Sequence, residues 1–123
     1  MSKRVLDVGQ CGFDHSAIHR LLTGEFGAEV VQAHRLDDAL ATLKSERFDL
    51  VLVNRKLDAD YSDGLAVLKA IKGDSLLAAT PVMLVSNYAD AQEAAVAVGA
   101  EHGFGKADLA QPATREKLKR FLE

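Results

Sequence analysis

Phe48-Asp49-Leu50-Val51-Leu52-Val53-Asn54 is the stretch that decides how this chain folds. Its short apolar run, half of it β-branched, reads as a strand, and similar runs recur along the chain with amphipathic segments between them. Upstream lie Val5-Leu6-Asp7-Val8 and Val30-Val31; downstream lie Val82-Met83-Leu84-Val85 and the weaker His102-Gly103-Phe104. In the first interval Ile18, Leu21, Leu22 and Phe26 fall at helical spacing, and Gly27 follows as a stop. Leu36, Ala39, Leu40 and Leu43 make a second stripe, Leu65, Leu68 and Ile71 a third, and Ala91, Ala94, Ala95 and Val98 a fourth, closed by Gly99. A fifth helix starts at Pro112 behind Gln111, with Leu118, Phe121 and Leu122 inward and Glu116 four residues before Arg120. Strands and helices in strict alternation predict an α/β fold: a five-stranded parallel sheet in a doubly wound, three-layer sandwich.

The chain has 123 residues, enough for one domain with one core, which we place over residues 3–123. With 48% hydrophobic and 27% charged residues its composition is that of a globular protein. No apolar run approaches the roughly 20 residues of a membrane span, and the apolar stretch after Met1-Ser2-Lys3-Arg4 is too short for a signal peptide, so a cytoplasmic location is expected. The net charge of -3 gives no field that would gather nucleic acid or an anionic membrane, and neither is an expected partner. The single cysteine, Cys11, cannot form an internal disulfide.

In a doubly wound sheet, ligands bind at the carboxyl ends of the strands where the strand order reverses. That rule selects four segments: Gly9 to His15, Asn54 to Gly64, Ser86 to Asp90 and Gly105 to Asp108.

Together with the opening stretch, Asp63-Gly64-Leu65, Thr80-Pro81-Val82-Met83-Leu84-Val85-Ser86 and the spacing from Gly99-Ala100 to Lys106 resemble the receiver domain of bacterial response regulators. The resemblance runs over nearly the whole chain and implies a CheY-like, flavodoxin-like fold with strand order 2-1-3-4-5. In that family an acidic pair after the first strand binds magnesium, and an aspartate ending the third strand accepts a phosphoryl group. A hydroxyl residue and a lysine after the fourth and fifth strands contact that group. Ser86 and Lys106 match the last two, whereas the acidic pair falls on Gly9 and Gln10 and the acceptor on Asn54. The family's aromatic switch residue on the fifth strand falls on Gly103, beside Phe104, and the proline after the lysine is replaced by Ala107. The segment between Asn54 and Asp63-Gly64 is longer than the family's.

These departures have chemical consequences. A neutral amide is no nucleophile for phosphoryl transfer, so Asn54 is not expected to be phosphorylated. Magnesium is a hard cation held by carboxylates and waters, and with Gly9, Gln10 and Asn54 in place no metal or other cofactor is expected. Restoring the chemistry is expected to need Asp at all three positions. With Lys106 as its remaining charged group, the pocket changes from about -2 to about +1.

The expected function is therefore an atypical receiver, or pseudo-receiver, that serves signal transduction by binding a protein. The resemblance implies a histidine kinase or a downstream signalling protein as that partner; the other candidate is a second copy of the chain. Two alternatives stand: a phosphorelay receiver using Asp58, Asp60 or Asp63, or a sensor of a small anion or metabolite held by Lys106, Ser86, Asn54 and Gln10. An enzyme is not expected, because no nucleophile and base pair is readable.

Other residues have plainer readings. Asp7, a carboxylate within a strand, needs a partner; Lys106 or Arg55 is one possibility, backbone or water near the strand end the other. His15 and His19 have the spacing of two metal ligands on a helix but lack further ligands, and read as surface histidines. Gly9-Gln10-Cys11-Gly12 lacks the third glycine of a dinucleotide loop and the lysine of a P-loop, and reads as a tight turn.

Overall fold

The computed structural model describes residues 2–123. Five strands alternate with five helices: β1 (Arg4–Val8), α1 (Gly12–Phe26), β2 (Glu29–Ala33), α2 (Leu36–Ser45), β3 (Leu50–Asn54), α3 (Gly64–Gly73), β4 (Val82–Val85), α4 (Ala89–Ala97), β5 (Glu101–Phe104) and α5 (Pro112–Leu122). All pairings are parallel, in the order β2-β1-β3-β4-β5, so the fold is the one expected.

The period-two alternation of the strands divides the core into two layers. Leu6, Val8, Val51, Val53, Val82 and Leu84 pack with Ala39, Leu43, Val67, Leu68, Ile71 and Ala95, residues of α2, α3 and α4. Val5, Leu50, Leu52, Met83, Val85 and Phe104 pack with Ile18 and Leu22 of α1 and Leu118 and Leu122 of α5. Asp7 takes its place on this second face, under α1. The stop at Gly27 is real: its φ of 62° is left-handed, and its N–H and that of Ala28 bond the carbonyls of Thr23 and Leu22.

Helix α4 departs from the expected stripe. Ala94 is exposed, and the buried positions are Gln92 and Ala95. Gln92 is there because β5 holds one residue too many: Met83 pairs with Glu101 and Val85 with Phe104, so two residues face Leu84 alone. Its amide repairs the gap, with Nε2 donating to Leu84 O at 2.9 Å and Ser86 O at 3.2 Å, and Oε1 accepting from Gly103 N at 2.9 Å. On α5, Lys117 Nζ donates to Gly103 O at 2.9 Å. A side chain at position 103 would collide with Leu84 O. The expected Glu116–Arg120 pair does not form; Arg120 reaches Glu101 at 3.5 Å.

Gly103→Tyr, which restores the aromatic residue, should therefore part β4 from β5 and lower the unfolding free energy by about 2 kcal/mol or more. Gln92→Ala, leaving buried backbone groups unpaired, should cost about 1–3 kcal/mol. Urea unfolding checks both, and a Gly103→Tyr protein with an unchanged midpoint would contradict the collision.

Candidate functional site

The carboxyl ends of β3, β4 and β5 open into a cleft of about 240 Å³ lined by Asn54, Arg55, Lys56, Val85, Ser86, Asn87, Tyr88 and Lys106. Three of the residues singled out in the sequence, Asn54, Ser86 and Lys106, meet there. The other three do not line it: Gly9, Gln10 and Asp7 are buried behind it. A larger concavity of about 730 Å³ lies at the opposite, amino-terminal edge of the sheet between Phe48-Asp49 and Thr80-Pro81, far from these groups.

Each cleft residue is tied to its surroundings. Asn54 Nδ2 donates to Gly9 O at 3.1 Å and to Lys56 O at 2.6 Å, while Oδ1 accepts from Arg55 N at 3.0 Å. Ser86 Oγ accepts from Tyr88 N at 3.1 Å. Asn87 Oδ1 accepts from Ala107 N at 3.1 Å, stitching the loop after β4 to the loop after β5. That approach requires Gly105, because a Cβ there would overlap Asn87 Oδ1. The Arg55 guanidinium lies 5.2 Å from the centre of the exposed Tyr88 ring.

Lys106 does not stand as a free cation. Its Nζ donates to Asp14 Oδ2 at 2.7 Å, and this bond holds the Asp14 carboxyl below its ordinary value. Cys11 Sγ, exposed at the start of α1, donates to the same oxygen at 3.3 Å. The expected surplus of about +1 on Lys106 is thus cancelled by Asp14, and the cleft's unpaired cations are Arg55 and Lys56. Asp14 sits in the first turn of α1, ninety-two residues from Lys106 in sequence.

Asp7 finds neither Lys106 nor Arg55. Its Oδ2 is 2.7 Å from Nδ1 of His15, the residue after Asp14, and its Oδ1 has no partner. His15 is thus a tethered, mostly covered side chain rather than a surface one, while His19 is exposed. Burial pushes the Asp7 carboxyl up to about 6, against the opposing pull of His15. Gln10 is fully buried beside it, with neither amide atom hydrogen-bonded.

The long loop after β3 folds into a small hairpin. Leu57 N bonds Ser62 O, Gly64 N bonds Arg55 O, and Lys56 bridges to Asp63. Tyr61 at its tip adopts a φ of 58°, a strained value for a bulky side chain. The hairpin drives Leu57, fully buried, against Gly9. Gly9 itself has a φ of 79°, and a Cβ there would overlap Leu57 Cδ2 and stand 3.0 Å from Leu57 Cα. Gly9→Asp therefore requires the hairpin to move, so an acidic site here needs a displaced hairpin in addition to Asp at the three positions.

The alternative acceptors are also engaged. Asp58 pairs with His34 at 3.1 Å, Asp60 bonds Ser62 and is held below its ordinary value by it, and Asp63 caps α3 through Leu65 N at 2.9 Å. None lines the cleft. Among the described residues no three His, Cys, Asp or Glu are grouped to hold a metal ion. At the strand ends, Gly9 offers a carbonyl already bonded by Asn54 Nδ2 and Asp58 N, a donor set that does not fit a hard divalent cation.

The raised Asp7 carboxyl has a defined pH signature. Folded Asp7 binds its proton more tightly than unfolded Asp7, so its contribution to stability is present near pH 4 and lost as pH rises towards about 6. Measured by urea unfolding between those limits, Asp7→Asn should gain on the unsubstituted protein by on the order of 2–3 kcal/mol. Parallel pH profiles would show that Asp7 titrates normally.

Comparison with known proteins agrees with this architecture. No curated protein matches the chain. Among solved structures it is similar to the phosphorylated cyanobacterial phytochrome response regulator RcpA, with 23% identity, a TM-score of 0.80, and 100% of this chain and 96% of that one covered. It is also similar to the chemotaxis response regulator CheY4 of Vibrio cholerae, with 22% identity, a TM-score of 0.76, and coverage of 99% and 100%. NtrX of Brucella abortus shares 26% identity at a TM-score of 0.74, over 98% of this chain and 28% of NtrX. The sequence profile of the response regulator receiver domain matches residues 14–122, so the chain belongs to the response regulator receiver domain family.

Proposed function

We propose that this receiver domain does not use the phosphoryl switch and serves two-component signalling as a protein-binding module. The observation that carries the reading is the state of Asn54: a neutral amide at the end of β3, with both ends hydrogen-bonded to backbone. It has no charge to attack phosphorus, and Lys106, which stands at the family's lysine position, is bonded to Asp14. Magnesium plays no part in this reading. The partner is a histidine kinase, a downstream signalling protein or a second copy of the chain, and no step of the reading requires an enzyme activity.

One observation favours a second reading, a sensor for a small anion: Arg55, Lys56 and Lys106 line the same cleft as the Ser86 hydroxyl. The Lys106–Asp14 pair weighs against it, since an anion would have to displace the carboxylate. Gln10, buried behind the cleft, takes no part in such a site.

Incubated with magnesium and a small acyl phosphate, the protein should show no phosphate adduct by intact mass. A stoichiometric adduct mapped to Asp58, Asp60 or Asp63 would replace the proposal with the alternative-acceptor reading. In a parallel NMR titration with sulfate, saturable shifts at Ser86 and Lys106 would favour the sensor.

A further inference from the structure

We infer that the Asn54 amide does at the strand ends the work of a bound cation, clamping two loops from within so that this edge of the sheet keeps one arrangement without a ligand. The inference rests on the reading of the chain as a receiver that binds no magnesium.

An amide nitrogen carries two N–H groups, and at Asn54 each is aimed at a backbone carbonyl of a different loop. One is Gly9 O, in the loop after β1, at 3.1 Å; the other is Lys56 O, in the hairpin after β3, at 2.6 Å. A positive centre holding acceptors of two separate segments is what a hard cation supplies in an oxygen-lined site. Gly9 O is closed on its other side by Asp58 N at 3.0 Å, which ties the hairpin to the same carbonyl. Leu57 adds a second, independent element. It is fully buried, and it occupies the space that any side chain at position 9 would enter. The donor at Asn54 and the filler at Leu57 thus complete the edge with covalently attached groups.

The inference turns on the difference between an amide and a carboxylate of the same shape. Asn54→Asp keeps the volume and removes both donors, leaving a carboxylate and two carbonyl oxygens facing one another. Only a cation or a displaced hairpin then restores balance. Asn54→Ala removes the donors and adds no charge, and so separates lost hydrogen bonds from repulsion between acceptors.

Thermal unfolding of the three proteins in EDTA, in millimolar magnesium chloride and in sodium chloride of equal ionic strength tests the idea. In EDTA, Asn54→Asp should melt about 5 °C or more below the unsubstituted protein. Magnesium, at several times its dissociation constant, should return most of that loss, and sodium chloride should not. Asn54→Ala should melt low in all three solutions, and the unsubstituted protein should not respond to magnesium. Asn54→Asp melting at the unsubstituted temperature in EDTA, or melting low with no recovery in magnesium, overturns the clamp while leaving the proposed function standing. A magnesium-dependent rise in the unsubstituted protein would instead overturn the proposed function itself.

Discussion

A carboxylate in the middle of a five-stranded sheet has to be answered from within the protein, and much of this site is arranged around that requirement. Asp7 lies between Gln32 on one neighbouring strand and Leu52 on the other, with no exposure to solvent. Left charged and alone it would cost several kcal/mol. The answer comes from the first turn of α1, where His15 reaches down to Asp7 while its neighbour Asp14 reaches across to Lys106. One helical turn therefore carries two pairings, one to the centre of the sheet and one to the loop after β5. The lysine's direction, the charge of the cleft and the seat of α1 all follow from it.

The fold was legible because it depends on periodicities that every segment states for itself. Alternating β-branched runs and helical stripes needed no knowledge of contacts, and the rule for strand-end ligand sites brought Asn54, Ser86 and Lys106 to one cleft. What stayed hidden depends on distance in space. Lys106 and Asp14 stand at opposite ends of the chain, and no local pattern joins them. His15 carried a weak signal: eight residues after Asp7, it sits where the chain turns back over the strand it has just left. Gln92 carried a clearer one. It lies three residues before Ala95 on the inward face of α4, but a polar residue invites an outward reading unless its buried partners are known.

Position 103 shows how a missing side chain can mislead. From the sequence, glycine stands there in place of the family's aromatic group, whose room is then left to be accounted for. In the structure the room is taken, because the extra residue in β5 brings Gly103 against the backbone of Leu84 and Gln92 fills in behind it. Gly9 follows the same logic after β1, where the lengthened hairpin delivers Leu57 into the space the glycine leaves. In both places a loss in one segment is matched by a gain in a distant one. Matched changes of this kind are invisible to any reading made one position at a time.

The irregular pairing of β4 with β5 also matters for how molecules of this protein meet one another. An open sheet ends in two strands whose outer backbone groups can template pairing with a neighbouring chain, the first step towards stacked aggregates. On β5 that hazard is blunted. The strand is four residues long, and its bulge bends it off a straight ladder. The extra residue that Gln92 accommodates on the inner side of β5 thus also guards one border of the sheet against self-templated growth.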